Sequence, residues 1–430
     1  METVLLYVVG VLVIVVGLVV SIGLHEVGHL IPAKRFGVKV GQYMVGFGPT
    51  LWSRRFGETE YGVKAIPLGG YISMAGMFPP VRPGAKGRTA STGLFDTLVQ
   101  DARDGSAETV GDDEDRAFYK LPVGKRIVVM LGGPTVNLLL GFVFIGIVLM
   151  GFGVPQASTT IGSVSECVLP AGSTRTACTA DDPAAPANAA GVLPGDRIVS
   201  IDGVAIEEWE QATAIIRDHP GDEMDWVVER NGTEVDLTVV PLLAERPALE
   251  GDGTVEVGFV GIGTATETVR QPITAVPGAV WDQSVAVGEI VLALPVRIYE
   301  VVNVTLLGQE RDPNGPISVV GVGRLAGEIA SLDTVAVADR ASTLIGMLGA
   351  LNIALFVFNL IPLLPLDGGH VAGALWEALR RGVARLRKRP DPGPVDTARL
   401  IPLTLAIVAV LGVSSTLLIV ADIVNPITVL

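Results

Sequence analysis

The chain has 430 residues, of which 49% are hydrophobic and 18% charged, with a mean hydropathy of +0.52 and a formal net charge of −14. It is too apolar for an ordinary soluble enzyme and points to a polytopic membrane protein with soluble parts. The acidic balance, with no basic patch interleaved with aromatics, argues against a nucleic-acid partner.

Thr3 to Leu24 carries no charge and is dominated by Val, Leu, Ile and Gly. At the rise of an α-helix that run is long enough to cross a bilayer core. It leads into His25-Glu26-Val27-Gly28-His29. Histidines four apart leave a helix on one face, the spacing two imidazoles need to share a zinc ion, with Glu26 beside them to accept a proton from water. An ionisable cluster at the end of an apolar span is a functional site by default. The N-terminus lacks a basic leader and a small-x-small cleavage site, and cleavage would discard the motif, so residues 1–34 read as a retained first membrane helix. Pro32 near its end and Gly37 suit a stop.

Residues 35–126 begin with a glycine-rich β region, 35–77, read as short strands joined by turns. The stretch through Gly69, Gly70 and Tyr71 is either a surface hairpin or an edge strand near the zinc, to which a peptide could add by main-chain pairing. Residues 78–118 are Pro/Gly-rich, then acidic, and poor in large apolar side chains, which reads as a disordered insertion with a solvated charge run. A second charge-free span covers 127–154 and opens with Gly132-Gly133-Pro134-Thr135-Val136-Asn137. An Asn in an apolar segment needs a partner, so Asn137 serves either helix packing or a substrate contact.

A soluble domain follows at 156–270. Its signals are the alternation through Arg197–Ile201, an Asp202-Gly203 turn, and a hairpin through Asn231-Gly232. The run from Gly258 to Gly263 reads as strand and turn. Cys167 and Cys178 lie eleven apart in a Pro/Ala/Ser/Thr-rich loop, with no metal or redox spacing; they form a loop disulfide in an oxidising compartment and are otherwise two free thiols. Residues 271–342 form an amphipathic linker, because Asp282, Glu289 and Glu300 share one helical face over 273–307, with a break at Pro295.

The third span, 343–366, ends in Asn359-Leu360-Ile361-Pro362-Leu363-Leu364-Pro365-Leu366-Asp367-Gly368-Gly369-His370. Asp367, freed by two prolines and two glycines, can turn back as the third zinc ligand. His370 reads either as a residue that supports a zinc ligand from behind or, by preference, as interfacial. Residues 367–399 form a loop with a basic amphipathic helix, and 400–422 a fourth span. The 33–126 loop holds 14 Lys/Arg and the 362–399 loop holds 7, whereas 156–340 carries 28 acidic against 10 basic side chains. By the positive-inside tendency the two basic loops are cytoplasmic and the acidic domain is outside.

Taken together, the 25–29 motif, the 132–137 motif, Ala190-Gly191-Val192-Leu193-Pro194-Gly195-Asp196 and the segment Asn359 to His370 resemble the bacterial site-2 proteases in order and along nearly the whole chain. The branch with an extracytoplasmic PDZ domain fits best, and the long insertion suits actinobacterial relatives. A weaker likeness is Asn314-Gly315-Pro316-Ile317-Ser318. The resemblance implies a polytopic α-helical membrane protein with four transmembrane helices, a membrane-associated β-hairpin region and an inserted α+β PDZ domain, in the bacterial cytoplasmic membrane. It implies Zn²⁺ on His25, His29 and Asp367, Glu26 as general base, Asn359 and Asn137 on the substrate backbone, and the Gly69-Gly70-Tyr71 strand clamping an unwound substrate. Implied partners are single-pass membrane proteins such as anti-sigma factors, remnant signal peptides, and an upstream site-1-type protease, with the PDZ module limiting access. The competing readings are a membrane zinc protease acting on exposed loops or tails, and a non-catalytic PDZ-bearing scaffold.

Overall fold

The computed structural model describes residues 2–79, 105–106, 108–110, 113–170, 175, 177–179, 181–248, 253–307, 315–424 and 426. Two compact units emerge, one of residues 1–152 with 272–430 and one of 153–271. Among the described residues, four helices are long and apolar enough to cross a membrane: Glu2–Arg35, Val123–Phe152, Val337–Asn359 and Thr397–Val424.

In the first unit, α1 spans Glu2–Arg35 without interruption at Pro32. Lys34 and Arg35 close it, which favours the helix C-terminus. The glycine-rich region that follows folds into short paired rows joined by bends. It forms one antiparallel pair, β1 (Val40–Phe56) and β2 (Thr59–Met74), with repeated register shifts. Gly46, Gly48 and Gly69 take positive φ within it, at bends between rows: 42–45 pairs with both 60–63 and 70–73, and 52–56 pairs with 59–63. Beyond β2 the insertion is partly built: Val110, Ala117 and Phe118 are buried, and the Phe118 N–H donates to the Ala75 carbonyl at 2.8 Å. Its acidic run is paired at the surface, Asp113 with Lys39 at 2.8 Å and Asp115 with Lys120 at 3.2 Å. The part of the insertion from 80 to 104 lies outside the described residues.

The next helix, α2, spans Val123–Gly146 and runs on into a wider turn over Ile147–Phe152.

The second unit is an α+β body. Its strands are β3 (Val154–Val164), β4 (Arg197–Ile201), β5 (Val204–Ala205), β6 (Met224–Arg230), β7 (Thr233–Val239) and, farther on, β10 (Ile262–Val269), in the order β10-β3-β4-β6-β7 with β5 on β4. A separate pair, β8 (Leu242–Pro247) and β9 (Thr254–Phe259), completes it. The short α3 (Pro186–Ala189) and α4 (Trp209–Asp218) are its helices. Arg230 pairs Thr233 across Asn231 and Gly232, both at positive φ, as a two-residue hairpin requires. Met224, Trp226 and Val228 alternate inward on β6 and form the core with Ile161, Ile198 and Ile201, and Ile216 of α4 joins it. Within this unit Cys167 and Cys178 are bonded to each other, S–S 2.01 Å.

Back in the first unit, α5 spans Ala275–Leu307 and passes through Pro295 unbroken, which corrects the expected break. It packs by Val276, Val280 and Val287 against Ile145 and Ile353, while Asp282 and Glu289 face away. Next, α6 (Val319–Ser331) is capped by the Ser318 hydroxyl, and α7 spans Val337–Asn359. Helix α7 therefore stops earlier than the apolar run suggests, because residues ahead of Pro362 and Pro365 disfavour helix. After the irregular 360–366 segment, α8 (Asp367–Leu386) begins at Asp367 itself. The last helix is α9, Ile401–Val424.

Candidate active site

Three side chains from distant stretches of the chain meet at one point. His25 and His29 stand one turn apart just past the charge-free stretch of α1, and Asp367 opens α8. His25 Nε2 lies 3.2 Å from His29 Nε2, and Asp367 Oδ2 lies 3.4 Å and 3.3 Å from the two nitrogens. Donors on a tetrahedral zinc, with bonds of about 2.0–2.1 Å, stand about 3.3 Å apart. The triangle thus fits such an ion in size and in donor type. Asp367 Oδ2 is buried without a hydrogen-bond partner among the described residues, an expensive arrangement unless a cation serves it.

Helix α2 shapes the triangle from one side. Gly28 and Gly132 bring α1 and α2 into backbone contact: a Cβ on Gly132 would stand 2.0 Å from the Gly28 carbonyl oxygen. That approach lets His29 Nδ1 bond the Val129 carbonyl at 2.8 Å. A Cβ on Gly133 would lie 2.3 Å from His29 Nε2 and 2.7 Å from His25 Nε2, so a side chain there would occupy the space between the imidazoles.

The hairpin approaches from another side. Glu26 is 8% exposed and stands beside the triangle on α1. Gly70 of β2 packs on it, since a Cβ there would be 2.9 Å from Glu26 Cγ. Gly69 takes φ 106° and has the Phe47 ring over it. Tyr71 points elsewhere, its hydroxyl donating to Gln42 Oε1 at 3.2 Å and its ring stacked on Phe47. Asn137 lies one turn beyond Gly133 on α2, 1% exposed, with neither amide atom partnered among the described residues. Asn359 is the half-buried last residue of α7. His370, expected at an interface, is half-buried and tilted against Phe78.

Two contacts around the site join residues far apart in the sequence. Asn352 of α7 donates to Ser21 Oγ at 3.0 Å, tying α7 to α1 one turn ahead of His25. Arg126 of α2 donates to Glu377 of α8, and both are buried. An Asn inside a charge-free span is a signal for the first. For the second a single sequence holds none, since nothing pairs positions 251 residues apart.

Comparison with known proteins agrees with this geometry. The model of Peptidase family M50 matches residues 13–390, a stretch holding the histidine pair, Glu26 and Asp367. The chain is 34% identical to the zinc metalloprotease Rip1 of Mycobacterium tuberculosis, covering 98% of this chain and 99% of that protein. It is 33% identical to Rip1 of Mycolicibacterium smegmatis over 98% of each. Against the metalloprotease MmpA of Caulobacter vibrioides it is 28% identical, over 84% of this chain and 85% of that one. On a family match that covers most of its length and on relatives aligned nearly end to end, the chain belongs to peptidase family M50, the site-2 protease family, and is a zinc metalloendopeptidase.

Proposed function

We propose that this metalloendopeptidase hydrolyses peptide bonds within membrane-spanning segments of single-pass proteins, anti-sigma factors and remnant signal peptides among them, after an outer cut by a site-1-type protease. The observation that carries the reading is the convergence of His25, His29 and Asp367 to within 3.2–3.4 Å just past the charge-free stretch of α1. A protease for exposed loops or tails has no need of a site placed against such a span.

In this reading His25 Nε2, His29 Nε2 and Asp367 Oδ2 hold the zinc. Bound there, zinc supplies Lewis acidity that polarises the scissile carbonyl and acidifies water. Glu26 takes a proton from the attacking water and passes it to the leaving nitrogen, so the carboxylate ends as it began. A membrane helix hides its carbonyls in its own hydrogen bonds, so the substrate must unwind before it is cut. The Gly69–Tyr71 stretch would hold it extended by main-chain pairing, because residues 70–73 pair with 42–45 along one edge and, among the described residues, have no strand on the other. Gly70 would set that edge against Glu26. The free amide of Asn137, and Asn359 at the end of α7, would bind the substrate backbone.

We assign the 153–271 unit as the PDZ domain, outside the cytoplasmic membrane, where it limits access to trimmed substrates. Its α+β make-up and acidic charge support this reading.

The test is Glu26→Gln in the full-length protein. Zinc content should stay at the wild-type level, because Glu26 is not a ligand, while hydrolysis of a membrane-segment substrate drops by about 10²–10⁴-fold. Near-normal turnover in that variant would sink the mechanism.

A further inference from the structure

Glu377 is fully buried on α8, and three donors serve it. Arg126 Nη2 of α2 donates to its Oε1 at 2.5 Å, and the Val395 N–H donates to its Oε2 at 3.0 Å. Arg381, one turn on, brings Nη2 to 3.0 Å from Oε1. Arg126 is itself only 7% exposed. Burying such a pair is costly, and well-packed apolar side chains often replace one without loss of stability. Apolar contacts slide more readily than a hydrogen-bonded charge pair. The feature the pair adds is a fixed register between two helices.

Those two helices are the ones that shape the metal site. Arg126, Val129 and Gly133 lie at i, i+3 and i+7 on one buried stripe of α2. Val129 accepts from His29, and Gly133 makes room for both imidazoles. On α8 the matching stripe runs from Asp367 through Ala374 to Glu377. Asp367 needs such support. The segment before it is irregular, and the N-cap Leu366 offers no side-chain hydrogen bond. Beside the pair, Arg126, His370, Glu377 and Thr397 line a cavity of only about 20 Å³, room for about one water. A shift of α8 along α2 therefore has little slack to absorb it and would move Asp367.

We propose that Glu377 and Arg126 are positioning residues, which by locking α8 to α2 in one register hold Asp367 at the distance from His25 and His29 that the zinc ion requires. The inference rests on the metal assignment above. Neither residue touches the reacting atoms.

The experiment measures zinc affinity, by competition with a chelator, and the visible spectrum after cobalt substitution in full-length detergent-solubilised protein. The variants are Glu377→Gln, which keeps shape and loses charge, and Arg126→Met/Glu377→Met, which removes both charges. Both should elute and melt like the wild type, bind zinc about tenfold or more weakly, and show shifted cobalt bands. Wild-type zinc affinity and an unchanged cobalt spectrum in both variants would overturn the proposal. Failure of both to fold would overturn it too, since the contact would then be structural. Asp367→Ala separates the two levels: if it binds zinc normally, the metal assignment is at fault; if it loses zinc while Glu377→Gln does not, the positioning role is.

Discussion

His29 Nδ1 lies 2.8 Å from the main-chain carbonyl oxygen of Val129. A carbonyl can only accept, so Nδ1 carries a hydrogen, and in the neutral imidazole Nε2 keeps its lone pair. That nitrogen is the one facing His25 and Asp367. One backbone contact from α2 thus sets both the tautomer and the aim of a proposed metal ligand on α1.

The first prediction concerns the glycine that makes this approach possible. A methyl group on Gly133 would stand 2.3 Å from His29 Nε2, in the space a shared ion would use. Gly133→Ala should purify as a folded protein with far less than one zinc per chain and no hydrolysis. Stoichiometric zinc in that variant, measured by elemental analysis, would show that the imidazoles do not converge on a metal.

Much of this centre could be read from sequence because its signals are local. Two histidines four apart on an apolar helix fix a face, and a carboxylate after two prolines marks a helix boundary. Asn231-Gly232 announced its hairpin for the same reason, a two-residue turn that needs positive φ at both positions. What stayed hidden depends on pairings across the chain. Gly46, Gly48 and Gly69 read locally as turns and do bend the chain, yet nothing local says that 42–45 pairs with both 60–63 and 70–73. Pro295 reads as a break, but α5 continues past it. Phe118, in a segment poor in large apolar residues, is buried against α1 and α2, which composition alone does not show. Ser21 with Asn352, and Arg126 with Glu377, are contacts between helices, and periodicity within one helix cannot name a partner.

The disulfide carries a prediction about placement. Cys167 and Cys178 are bonded in the 153–271 unit. Such bonds persist in oxidising compartments and are rare in the cytosol. In intact cells both thiols should resist alkylation until a reductant is added. Alkylation of both without reductant would place this unit on the cytoplasmic side and remove it as an outer gate.

Acid should loosen the same unit through Asp196. This buried carboxylate accepts from Arg230 Nε at 2.8 Å, from Arg230 Nη2 at 2.7 Å and from the Leu193 N–H at 2.8 Å. Arg230 above all holds its pKa below the usual carboxylate range, against the opposing effect of burial. The folded value lies below the unfolded one of about 3.9, so the stabilisation is complete above that value and is lost as pH falls through the folded pKa. Amide-exchange protection over residues 191–230 in the full-length protein should therefore decline below about pH 4. Asp196→Asn should lower protection at neutral pH, by about 1–3 kcal/mol for the weakened network, and flatten the acid response. An acid profile identical in the two proteins would assign the loosening to other groups.

The last prediction separates the base from the metal by way of the hairpin. Gly70 lies so close to α1 that a Cβ would meet Glu26 Cγ at 2.9 Å, the Met44 carbonyl oxygen at 3.1 Å and Ile22 Cγ2 at 3.2 Å. Two of these neighbours are side chains on α1 and one is backbone of the paired strand. Strand β2 therefore cannot yield toward β1 without breaking its pairing, and the Glu26 side chain must move instead. The proposed zinc ligands His25, His29 and Asp367 are not among these contacts. Gly70→Ala should retain full zinc while kcat falls about tenfold to a hundredfold, through a displaced general base. If the open edge of β2 also carries the substrate, KM should rise in the same variant. Gly70→Ala with wild-type kcat would mean that Glu26 tolerates the shift, and the close packing of strand on base would then have no part in catalysis.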